Sequence, residues 1–234
     1  FHLSLTMKAL KSGSNVICEK PLVCHPNDIE KIQRAEIITG KRAYAVLQAR
    51  WHPPLRSFKE QVEKHLRRKE QLKGELFWIA PRSTGYEHLW RGNPNFAAGL
   101  IMDIGIHSLD MLNVVLGDCQ KFQFETVLER SVTAILHYEK AEIRWHLSIG
   151  EKNAANGKPE NLVAVRKLKI EGELLDTTDA FGNLHIRMYE DIVRGKGVRV
   201  IDARPSLKTA FELQENLQEM GFVNSDGHLF ACSR

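Results

Sequence analysis

No stretch of this 234-residue chain stays apolar long enough to cross a bilayer, and its mean hydropathy is negative. The expectation is a soluble, cytoplasmic protein without a membrane partner. Cysteine is scarce: Cys18, Cys24, Cys119 and Cys232 are scattered with no Cys-x-x-Cys pair. That spacing argues against a zinc ribbon and suits reduced thiols. Neither charge sign dominates. Lys plus Arg number 33 against 29 Asp plus Glu, a net +4. Such a mild excess tolerates a small anionic ligand but makes no nucleic-acid footprint, and the basic run Lys64 to Lys69 reads as a solvated helix end. Internal repeats and low-complexity tracts are missing, as is any Gly-x-Gly-x-x-Gly to cradle a dinucleotide's phosphates. The chain opens on a helix pattern, with no initiator Met, signal peptide or preceding strand, so it is expected to be the C-terminal portion of a longer polypeptide.

What is present is hydrophobic patterning over 43% apolar residues, enough for one sizeable core and part of a second. Phe1 to Leu10 predicts a helix, and Asn15 to Cys18 a buried strand. Pro26 to Ile38 predicts a second helix with Ile29, Ile32 and Ile37 inward and Thr39-Gly40 as its stop; Arg42 to Gln48 predicts a strand. This helix–strand–helix–strand opening belongs to the end of a doubly wound α/β domain, assigned to residues 1–48. Residues 49–234 are assigned to an α+β domain with an open, mostly antiparallel sheet. Its helices are predicted at Leu55–Arg68, Ala98–Leu116, Leu184–Arg194 and Pro205–Met220. Its strands are predicted at Leu72–Ala80, Phe122–Leu128, Ser131–Tyr138, Ala141–Ile149 and Leu162–Ile170. The last helix is expected to pack back on the first domain.

Two motifs carry chemistry. Glu19-Lys20-Pro21 sets an ammonium at the end of an apolar strand, and Asp103-x-Gly105-x-His107-x-x-Asp110 sets an imidazole between two carboxylates on one helix face. A Lys-Pro pair at a strand end is ordinarily a turn, and a lone helix histidine is ordinarily a core residue. Together, Lys20, Asp103 and His107 make a proton-transfer apparatus for a hydroxyl or carbonyl, and a hydride acceptor would complete a sugar or alcohol dehydrogenase. His107 is read as the base, its pKa raised by the flanking carboxylates; Asp103 orients the substrate or Lys20, while Asp110 is either a supporting or a packing residue. A metal reading of His107, Asp103 and Asp110 rests on the i, i+4 spacing that can chelate zinc, with no further strong ligand apparent nearby, and Cys18 reads as a packing residue rather than a nucleophile. Tyr86, Trp90 and Arg91 lie in the long loop before the active helix, where each can reach a sugar. Arg50 ends a strand and can grip a phosphate or carboxylate through its fork.

In order and separation these motifs resemble the Gfo/Idh/MocA family of NAD(P)-dependent sugar oxidoreductases over about residues 1 to 215. Ile17 to Val23, Leu47 to Pro53, Tyr86 to Gly92, Arg144 to Ser148, Asn183 to Glu190 and Asp202 to Ser206 are most similar to its bacterial members that oxidise the 3-hydroxyl of UDP-N-acetylglucosamine or its uronic acid. The resemblance implies a Rossmann-type first domain and NAD or NADP as cofactor, with His2, Glu19, Lys20 and Pro21 on the cofactor side and a cis Lys20–Pro21 bond. A lysine beside the cationic nicotinamide would have its ammonium form disfavoured. Asn183 and His185 are implied as substrate wall, and the open sheet face as the contact of a homo-oligomer. Surface-polysaccharide sugar biosynthesis is the implied setting, since oxidation at the 3-position prepares a sugar for amination. Ala98-Gly99 stands where the family usually has Gly-Gly. As given, the chain is expected to be inactive without the cofactor cradle. A cyclitol or free-sugar dehydrogenase, and a non-catalytic sugar-binding or oligomerisation domain, stay open as alternatives.

Overall fold

The computed structural model describes residues 2–23, 25–83, 86, 99–128, 130–150, 163–179 and 184–220, and among them six α-helices and eight strands are defined. The first four are α1 (His2–Lys11), β1 (Val16–Cys18), α2 (Pro26–Thr39) and β2 (Ala43–Ala45), with β1 and β2 parallel. Proline opens α2, and Gly40 ends it with a left-handed φ of 67°, its N–H bonded to the Glu36 carbonyl at 3.0 Å. Ile29 and Ile32 are buried as expected, but Ile37 is 80% exposed. From Ile32 the inward stripe continues three and four residues on, at Ala35 and Glu36, and Ile37 falls beyond it. Buried Glu36 is compensated by the Ala43 N–H at 2.9 Å and by Arg199 at 3.4 Å. Ile17, expected in a buried strand, is 46% exposed.

A 3-10 turn (Gln48–Trp51) replaces the end of the second predicted strand and leads into α3 (Pro53–Leu66). Beyond it lie β3 (Leu72–Ile79), β4 (Lys121–Leu128), β5 (Ser131–Tyr138), β6 (Ala141–Ser148), β7 (Val165–Ile170) and β8 (Glu173–Asp176). They form one sheet in the order β4-β5-β6-β3-β7-β8, antiparallel except where β3 lies parallel to β6. The sequence reading missed β8, a four-residue strand with Leu175 as its one buried side chain. It returns from β7 through Glu171 and Gly172, both at positive φ, the geometry of a tight hairpin.

A π turn at Ile101–Gly105 runs straight into α4 (Ile106–Leu116). Ile101, Met102, Ile106, Leu109, Met111 and Leu112 are all at most 1% exposed, so this helix is buried nearly all round between the sheet and the last helix. Gly105 makes the close approach. A Cβ there would sit 3.0 Å from Leu147 and 3.1 Å from Trp145 on β6, which is why this turn of the motif carries no side chain. α5 (Leu184–Val193) precedes α6 (Val200–Glu219). The last helix begins five residues before Pro205, its predicted start. Asp202 accepts the Arg199 N–H at 3.0 Å and closes the first turn upstream of the proline. α6 packs against both α4 and α2. No helix among the described residues is long and apolar enough to span a membrane.

Candidate active site

Lys20 stands two residues past the end of β1, and its peptide bond to Pro21 is cis. Its Nζ donates to the Asp103 carboxylate Oδ1 at 2.5 Å and to the Asp103 main-chain carbonyl at 2.6 Å, across 83 residues of sequence. Asp103 lies in the π turn, a frequent device at functional sites. Its second carboxylate oxygen accepts the Tyr86 hydroxyl. Tyr86, expected at the substrate, is instead 4% exposed and braces Asp103. A buried carboxylate thus has a cation and a phenol fixing its two oxygens.

His107 follows one turn on in α4, 6% exposed, its ring stacked on Trp78 of β3 at 6.5 Å between centroids and 21° between planes. The expected upward pKa shift is reversed. Burial pushes the imidazole down to about 3, and the charges of Lys20, Arg166, His185 and Arg82 act in the same direction. Neither flanking carboxylate offsets this. Asp103 is turned to Lys20, while Asp110, with no exposed side-chain surface, is gripped by Arg50 through Nε at 2.8 Å and a terminal nitrogen at 2.6 Å. The Ser206 hydroxyl also donates to Asp110 at 3.0 Å.

That grip corrects the reading of Arg50. Its fork closes on an internal carboxylate rather than on a ligand, and it also donates to the Asp202 carbonyl at 2.7 Å. The cluster ties the 3-10 turn, α4 and α6 together, so Asp110 holds the helix that carries His107. Cys18 is buried, and burial raises its thiol, consistent with packing. His2 donates from Nδ1 to the Pro21 carbonyl at 2.7 Å, closing the start of α1 on the Lys20–Pro21 turn. Glu19 is exposed there and accepts the Lys20 N–H at 3.3 Å. His185, in the first turn of α5, has its ring 6.2 Å from that of Tyr189, and its charge acts on His107. Trp90, Arg91 and Asn183 lie outside the described residues.

Three neighbours of His107 escaped the sequence reading: Trp78, Arg82 and Arg166. A signal existed. In β7 the inward positions alternate back from Ile170 through Leu168 to Arg166, placing a guanidinium on an otherwise apolar face.

Comparison with known proteins bears on this geometry. Residues 1–47 match the family model described as the Gfo/Idh/MocA oxidoreductase family, NAD-binding Rossmann fold. Residues 69–147 match the one described as that family's C-terminal alpha/beta domain. The structure is similar to the WlbA (WbpB) dehydrogenase from Thermus thermophilus, solved in complex with NAD and UDP-GlcNAcA, at 28% identity and a TM-score of 0.80 over 91% of this chain and 68% of that one. Two further structures share the fold at 18% identity. The WlbA dehydrogenase from Bordetella pertussis matches with a TM-score of 0.73 over 92% of this chain and 73% of that one. The aldose-aldose oxidoreductase from Caulobacter crescentus matches with 0.66 over 94% and 74%.

Proposed function

Because this chain belongs to the Gfo/Idh/MocA oxidoreductase family, we propose that it serves the oxidation of a sugar hydroxyl with NAD as acceptor, the sugar being a UDP-N-acetylhexosamine or its uronic acid and the position its 3-hydroxyl. The observation that carries this reading is the 2.5 Å contact of Lys20 with Asp103, one helical turn from His107. The similarity at 28% identity to a dehydrogenase crystallised with NAD and UDP-GlcNAcA supports the substrate class.

The residues present fit the nicotinamide end of the cofactor. Lys20 lies just beyond the carboxyl end of β1, beside parallel β2, the end at which open α/β sheets take ligands. His2 and Pro21 meet at the same turn, so His2, Lys20 and Pro21 are the residues that would hold the group. Bound there, NAD supplies the hydride acceptor. Asp103 takes two of the three N–H bonds of the Lys20 ammonium, which leaves the third to hold the reacting hydroxyl oxygen. Burial keeps His107 uncharged at neutral pH, the form of an imidazole that can act as a base toward the hydroxyl. Tyr86 fixes the carboxylate that aims Lys20. A 3-keto sugar is the form that amination requires, which agrees with a role in surface-polysaccharide sugar synthesis.

The test is reduction of NAD by the protein with UDP-GlcNAcA and with UDP-GlcNAc. Lys20→Ala and His107→Ala are expected to abolish turnover and leave the circular dichroism spectrum unchanged. A near-normal rate in either variant would remove that residue from the mechanism.

A further inference from the structure

The sheet locks the main chain on either side of His107. Two residues before it, Gly105 makes its close approach to Leu147 and Trp145 of β6. One residue after it, the Ser108 hydroxyl accepts the Trp145 indole N–H at 2.8 Å and donates to the Gly105 carbonyl at 2.7 Å. With its backbone held, a helical side chain has two favoured χ1 wells. The second torsion of an imidazole is different, because it joins a tetrahedral to a planar carbon and its energy is broad. The helix therefore fixes where the His107 ring sits and leaves the plane of the ring open.

A flat partner supplies that plane. Trp78 on the inner strand β3 is the direct cross-strand partner of Leu147 on β6 and of Arg166 on β7, so the three side chains share a face. Leu147 lies under Gly105, and one strand over Trp78 lies under His107. The two rings are within 21° of parallel at 6.5 Å between centroids, an offset stack. Gly105 is what lets the helix come down far enough to make it.

The indole is held in its turn. It is buried, and the Arg166 guanidinium carbon lies 5.5 Å from its centroid, in reach of the ring's electron-rich face. Arg166 is tied at the sheet end by Thr178, two residues past β8. Its main-chain N–H donates to the Thr178 hydroxyl at 3.1 Å, and a terminal side-chain nitrogen donates to the Thr178 carbonyl at 3.1 Å.

We propose that Trp78 is a positioning residue for the base: its indole selects the plane of the His107 ring and so aims the imidazole at the reacting hydroxyl. The role rests on the sugar-oxidation reading above, in which His107 is the base, and adds to it the group that orients that base.

Replacement by Phe and by Met tests this, since the two side chains fill similar space and only Phe is flat. Carbon–proton NMR of the histidine Cε1–H groups, with the His107 signal identified by its loss in His107→Asn, reads the stack without any ligand. The wild-type signal is expected to be displaced by the indole ring current from its position in urea, to keep part of the displacement in Trp78→Phe, and to lose it in Trp78→Met. NAD reduction with UDP-GlcNAcA is expected to show kcat lowered about tenfold or more in Trp78→Met, with KM within twofold and with Trp78→Phe restoring much of the loss. Equal turnover in the two variants overturns the proposal, because burial alone would then account for Trp78. A change in KM alone overturns it as well. Should Trp78→Met fail to fold, the wild-type signal decides: one that is not displaced means that no stack orients the ring. No NAD reduction by the wild type refutes the dehydrogenase reading, whereas the NMR signals still show whether Trp78 sets the ring.

Discussion

Replacing His107 by asparagine removes a ring that the fold keeps neutral. In an unfolded chain this imidazole titrates near 6.5, whereas burial and four surrounding positive groups push it down to about 3 in the fold. Between those values the unfolded chain binds the proton and the folded chain does not. The contribution is intact above 6.5 and is lost as pH falls toward 3. Moving from about pH 7.5 to about pH 5 therefore costs the wild type about 2 kcal/mol through this residue, and about 4 kcal/mol by about pH 3. His52 and His146 are also lowered by burial, but they titrate alike in both proteins and cancel in the comparison. Urea unfolding followed by circular dichroism at the two higher pH values gives the required double difference. His107→Asn is expected to lose about 2 kcal/mol less than wild type on acidification. Equal losses in the two proteins would refute the argument that His107 is buried as the neutral base.

Further expectations follow from the same contacts. Asp110→Asn leaves Arg50, whose side chain is 21% exposed, facing an uncharged partner in the interior, so a stability loss of about 3 kcal/mol is expected in thermal denaturation. Tyr86→Phe removes the donor on Asp103 without touching substrate. Turnover is expected to fall about tenfold with KM nearly unchanged, and a KM effect alone would return Tyr86 to the substrate contacts. Ile37→Lys is expected to change stability by less than about 0.5 kcal/mol, whereas Ile32→Lys, at a position with no exposed surface, is expected to unfold the chain.

Patterns set by local periodicity were legible in the sequence. The buried positions of the active helix, Ile101, Ile104, Leu109, Leu112 and Val115, all face the interior, and the antiparallel run of strands appears with small changes at the ends. What failed depended on partners distant in sequence. Arg50 looked ligand-ready because nothing local announces that Asp110, 60 residues on, will occupy its fork. His107 looked raised because its own helix offers two carboxylates, yet each is claimed by a cation from another segment. Pro205 looked like a helix start because the cap from Asp202 to Arg199 lies upstream of it. Arg166 was visible in principle, as a charge in the inward register of β7, but its place beside Trp78 depended on the pairing with β3.

The most direct measurement is the rate of NAD reduction with UDP-GlcNAcA by wild type beside Lys20→Met and His107→Asn, each verified as folded. The account expects turnover in the wild type and a loss of about a hundredfold or more in both variants, the scale of a positioned proton-transfer group. Variants that turn over at the wild-type rate would contradict it.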